Sequence, residues 1–143
     1  MPNLRPDWSF PTRQTPDRRA LDSGANRRDP QHMDDKAIRR KLRELADQAY
    51  EEELRHALAP LAEAFERWKA RAASSFEISD LIHEFHLGPS RTLWGTYQGL
   101  KPDALVARAV ALGVLARESL PAEVAASLAS QIETFEQLAR NEQ

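Results

Sequence analysis

The chain has 143 residues, 41% of them hydrophobic and 29% charged, with a net charge of −2 and no cysteine. The missing cysteines exclude thiol catalysis, iron–sulfur ligation, thiolate zinc sites and disulfides, and suit a reducing compartment. No apolar run approaches the ~20 residues of a membrane-spanning helix. The first ten residues, interrupted by Pro2, Pro6 and Asp7, lack the order of a secretory signal. The expectation is a cytoplasmic protein that does not engage a membrane.

Residues 1–32 carry five of the nine prolines and six arginines against four aspartates, with no apolar period. Such a segment is expected to stay disordered until a partner orders it. Within this arm, Trp8 and Phe10 are large apolar groups without a core of their own, and Arg18 and Arg19 add a basic pair. All four are candidate partner contacts. Residues 33–143 read as a helical domain with 14 basic and 18 acidic side chains. That acidic balance disfavours nucleic acid, whose affinity rests on phosphate neutralisation. Arginine outnumbers lysine 16 to 4, which reads as the codon usage of a GC-rich bacterial genome.

The first helix is predicted to start at an Asp34 or Asp35 cap. It carries an inward stripe of Ile38, Leu42, Leu45, Ala49 or Tyr50, Leu54, Leu58, Leu61, Phe65 and Trp68. Pro60 removes a backbone donor and predicts a kink or a break after about Leu58, and the apolar pattern that runs through it favours the kink. Ser74 and Glu77 have the spacing of a capping box and open a second helix with Ile78, Leu81, Ile82 and Phe85 on one side. Gly88-Pro89 is expected to end it with a left-handed cap and to start a third helix. There Leu93, Tyr97 and Leu100 face inward, Trp94 lies at the edge, and Gly99 is the stop. Residues 104–116, with Arg108 as the single charge, predict a central helix buried on most sides. Ser119-Leu120-Pro121 restarts the chain into a fifth helix with Val124, Leu128, Ile132, Phe135 and Leu138 or Ala139 inward. The fold class is therefore all-α, a single globular bundle of about five helices behind an N-terminal arm.

Glu53-x-x-His56 and Asp80-x-x-His83 resemble halves of a di-metal carboxylate site, which works only where both side chains enter the bundle core. Measured from the nearest stripe residues, both pairs point to solvent. His83 and His86 share a face but lack a third ligand, so no metal and no other cofactor is expected. Isolated glycines leave no phosphate-binding loop, and no nucleophile elbow or Ser-x-x-Lys pair is present. Without a catalytic constellation, the chain reads as a non-enzyme.

Residues 77–94 also have the rhythm of a helix-turn-helix, although the second helix offers only Arg91 as a base. The basic cluster of Lys36, Arg39, Arg40, Lys41 and Arg43 reads first as a solvated helix face. The expected role is a small protein-interaction module, whether subunit, adaptor or inhibitor of an antitoxin-like kind. It would use helical surface and the arm, with His83, His86, Arg91 and Trp94 as surface contacts. The partner is another protein or a second copy. The alternative is a small helix-turn-helix-like DNA-binding regulator.

Overall fold

The computed structural model describes residues 33–143. Among them five α-helices follow one another and no strand occurs: α1 (Asp35–Lys69), α2 (Ser75–Phe85), α3 (Arg91–Gly99), α4 (Pro102–Ala111) and α5 (Ala122–Asn141). The all-α expectation holds for this body. Trp8, Phe10, Arg18 and Arg19 lie outside the described residues.

The helix ends follow side-chain chemistry. Asp34 accepts a hydrogen bond from the Ala37 amide at 2.7 Å and starts α1. At α2 the capping box closes both ways: the Glu77 amide donates to Ser74 Oγ at 3.1 Å, and the Ser74 amide to Glu77 Oε2 at 3.3 Å. Each satisfies a donor that a helix start would otherwise leave unpaired.

Two helices close with the same pair of backbone bonds. After α4, the Val114 amide reaches Ala109 O at 2.8 Å and the Gly113 amide reaches Val110 O at 3.1 Å. Gly113 takes φ +78°, the left-handed position of a Schellman cap. After α1, the Ala72 amide reaches Arg67 O and the Arg71 amide reaches Trp68 O. Here Arg71 itself occupies the left-handed position at φ 59°.

The core joins the first half of α1 to α4 and α5. Leu42, Leu45, Ala46 and Ala49 pack with Leu105, Val106, Ala107, Ala109 and Val110 of α4, and with Val124, Leu128 and Ile132 of α5. Val106 and Val124 are fully buried. The central helix is thus where the sequence places it, but shorter. It ends at Ala111, because Gly113 turns the chain, and Leu112 is half exposed.

Beyond Ala49 the packing changes. The rest of α1 pairs with α2 and α3, while α4 packs on both α5 and the first half of α1. The Trp68 indole donates to Ser75 Oγ near the tip, and Tyr97 meets Glu53 and Tyr50 at the base. Those contacts fix an antiparallel αα-hairpin. Between residues 50 and 69 only Ala64 is buried. The inward stripe expected through Leu58, Phe65 and Trp68 is therefore corrected, since no third layer covers this half. Ile82 and Leu100, also expected inward, are likewise exposed, as is Leu138 on α5.

α1 runs unbroken through Pro60, in keeping with the apolar pattern that continues past it; the proline sits on the exposed side and costs one hydrogen bond without ending the helix. One further expectation is revised. Gly88-Pro89 makes no left-handed turn. His86–Ser90 forms a π-helical turn, and the flanking Phe85 and Arg91 keep right-handed helical angles. A geometric reason favours this. Phe85 and Leu93, both half-buried, are eight residues apart. In pure α-helix that step overshoots two turns by about 80°. A π turn takes in the extra residue, so the α2 and α3 stripes join on one side of one rod.

Candidate interaction surface

Among the described residues, ten large apolar side chains are well exposed, and seven belong to the hairpin: Leu58, Phe65 and Trp68 on α1, and Phe76, Ile82, Leu87 and Trp94 on the α2–π–α3 rod. Phe76 is 84% exposed, Trp94 59% and Leu87 52%. An eighth, Leu100, follows α3 directly. Scattered apolar groups are ordinary on a protein surface, whereas a concentration on one substructure makes it the candidate surface.

Helix geometry sorts these residues into faces. On α1, Leu54, Leu58 and Phe65 recur at steps of four and seven, on the side turned away from Leu45 and Ala49. On the rod, the eight-residue step that aligns Phe85 with Leu93 equally aligns His86 with Trp94 and His83 with Arg91. Ile82, one turn before His86, joins the first line with Ser79 and Ser90. Phe76 and Leu87 join His83 and Arg91 on the outermost line. In an antiparallel pair, flanks turned in the same rotational sense lie on the same side. The Leu54–Leu58–Phe65 line and the Ile82–His86–Trp94 line therefore border one two-helix face.

Charge is segregated from that face. The rod's carboxylates, Glu77, Asp80 and Glu84, fall on its opposite flank. Along α1 the border charges are already paired, Arg55 with Glu51 at 3.0 Å and Lys69 with Glu66 at 3.0 Å. Of the residues singled out from sequence, His86 and Trp94 lie on the face itself. His83 and Arg91 line its outer edge, and all four are exposed.

The hairpin's other flank meets the core through a polar knot. Arg108 Nη1 donates to Glu53 Oε2 at 3.0 Å and to Oε1 at 3.2 Å, and the Tyr97 hydroxyl donates to Glu53 Oε2 at 2.6 Å. Tyr50 stacks on Tyr97 with ring centroids 4.4 Å apart. The Glu53 side chain is only 13% exposed, which corrects its expected solvent position. The neighbouring stripe residue Leu54 is a poor reference for this turn, because the buried side here is set by Ala49, Tyr50 and Ala57. His56 does remain exposed, as do Asp80 and His83. Burial, then the hydrogen bond and charge of Glu53, push the Tyr97 hydroxyl well above the ordinary phenol range. A signal for this knot was present in the sequence: a lone Arg108 in an apolar helix demands a carboxylate partner.

Beside the knot a cleft of about 850 Å³ opens between Glu53, His56 and Ala57 of α1, Gly88, Pro89, Thr92 and Leu93 of the rod, and Leu112–Val114 after α4. Its walls are largely apolar, and its one carboxylate is already engaged by Tyr97 and Arg108. A second hollow, of about 620 Å³, lies against the loop between α1 and α2. Among the described residues no three His, Cys, Asp or Glu side chains converge as metal ligands. No helix there is long and apolar enough to cross a membrane. Compared with known proteins, the chain matches no family model, no curated protein and no solved structure.

Proposed function

We propose that this chain is a protein-interaction module that works through its helical hairpin. One observation carries the reading: seven large apolar side chains stand exposed on a hairpin held firmly to a well-packed three-helix core. A two-helix layer cannot bury both of its sides, so a stripe that continues past the core needs a partner to cover it. The composition of the face, aromatic and aliphatic with charges held to its border, is that of an interface centre. The DNA-binding alternative draws less support. A helix-turn-helix needs two helices set at an angle by a turn, and a π turn holds α2 and α3 in one rod. Arg91 stands as its single base beside three carboxylates.

The test is comparative capture of interacting macromolecules, including differently tagged copies of the chain itself. Wild type is set against Ile82→Glu/Trp94→Glu, two exposed positions whose substitution leaves the core intact. A bound protein lost from the double variant supports the reading. Identical profiles, or retention of one defined duplex DNA site, would overturn it.

A further inference from the structure

Resting on that reading, we infer that the partner covering the hairpin is a second copy of this chain, so that two hairpins pack face to face into a four-helix bundle.

Area is the first argument. Four of the exposed side chains border the face, Leu58, Phe65, Ile82 and Trp94, at 36–59% exposed. At about 200 Å² for a full large side chain, they leave roughly 370 Å² of apolar surface per chain. A standard specific interface takes about 800 Å² from each partner, somewhat over half of it apolar. The face thus supplies most of that apolar share, and two copies supply it on both sides at once.

Electrostatics is the second. An isologous contact brings each group toward the same set of groups on the other copy, so an unbalanced face repels itself. This face is balanced. Its α1 border consists of the Glu51–Arg55 and Glu66–Lys69 pairs, each neutral within its own helix. Its rod side offers Ser79, Ile82, His86, Ser90 and Trp94, while Glu77, Asp80 and Glu84 are turned to the opposite flank. Apart from Arg91 at its outer edge the face presents no block of like charge, so two copies can meet on it without mutual repulsion.

Architecture is the third. Antiparallel hairpins with one apolar side are the half-units of four-helix bundles, which pack their helices around a shared apolar centre. The core does not obstruct this, because Leu54, Leu58 and Phe65 face away from the side of α1 that meets α4 and α5.

Sedimentation velocity on the full chain across a concentration series tests the inference. The expected species is about 32 kDa, twice the 16.2 kDa chain. Ile82→Glu and Leu58→Glu should each raise the dissociation constant at least ~100-fold, because every substitution enters the interface twice. Glu84→Arg, on the opposite flank, should leave it unchanged. Circular dichroism of each variant confirms that the helices persist. A wild-type chain that stays at 16 kDa up to about 200 μM, a range that reaches weak dimers, overturns the dimer. So does a dimer unaffected by both face variants. A monomeric wild type that captures another protein through Ile82 and Trp94 removes the dimer but leaves the module standing. A monomer with no face-dependent capture removes both.

Discussion

At the scale of single residues, the Glu53–Tyr97–Arg108 knot is where chemistry and packing meet most closely. Arg108→Ala would leave the Glu53 carboxylate with Tyr97 alone in a largely desolvated place. We expect a loss of about 2 kcal/mol, below the range for a fully buried pair because Arg108 retains 22% exposure. Urea denaturation measures it, and the double variant Arg108→Met/Glu53→Leu should recover most of the loss. Tyr97 gives the knot a pH signature. Its folded pKa is raised, so its contribution is fully present below the unfolded value of about 10 and fades as pH rises beyond it. Stability should fall above pH ~10 by up to about 1 kcal/mol per unit, discounted for residual solvent contact. Tyr97→Phe should flatten that part of the curve, and an equal alkaline slope in the variant would show that other groups cause it.

At the scale of elements, the two Schellman caps predict opposite responses. Gly113 occupies its left-handed position without steric cost, so Gly113→Ala should destabilise by about 1 kcal/mol. Arg71 occupies the same kind of position with a side chain, so Arg71→Gly should be stabilising by about 0.5–1 kcal/mol, less the added freedom of the unfolded chain. Paired thermal melts decide both signs. What the sequence revealed follows the same division. Apolar period, capping box and the Gly99 stop are local, and they place α1, α2, α5 and the end of α3, whereas α4 ends five residues before the expected Ala116 because Gly113 turns the chain. The π turn was missed because Gly88-Pro89 carries a strong turn signal. Only the tertiary demand that Phe85 and Leu93 share a side overrides it. Exposure of Leu58, Phe65 and Trp68 was missed for a related reason: a stripe records which face is apolar, not whether another element exists to cover it. Glu53 was misplaced because its partner lies 55 residues away on α4.

At the scale of the whole molecule, protection against hydrogen exchange should be graded. The core made by α4, α5 and the first half of α1 buries its apolar contacts, whereas the rod buries only Ile78. Amides of α4 and α5 should therefore exchange most slowly and those of α2 and α3 faster, because opening the hairpin exposes less buried surface. Uniform protection along the chain would show that hairpin and core open together. Val106→Asp, placing an unpaired charge at the centre of the core, should abolish cooperative unfolding.

Because α1 belongs to both halves, its 35 residues, about 52 Å of helix, make it a lever. Arg108 grips this lever at Glu53, leaving sixteen residues, about 24 Å, as the free arm out to Lys69. Pro60 lies along that arm, where one hydrogen bond is missing and bending is easiest. A tilt of 5° at the grip carries the tip roughly 2 Å, about the width of one side-chain contact. Whatever is bound along the arm thus feels, as a displacement, small changes in the packing of a core it never touches.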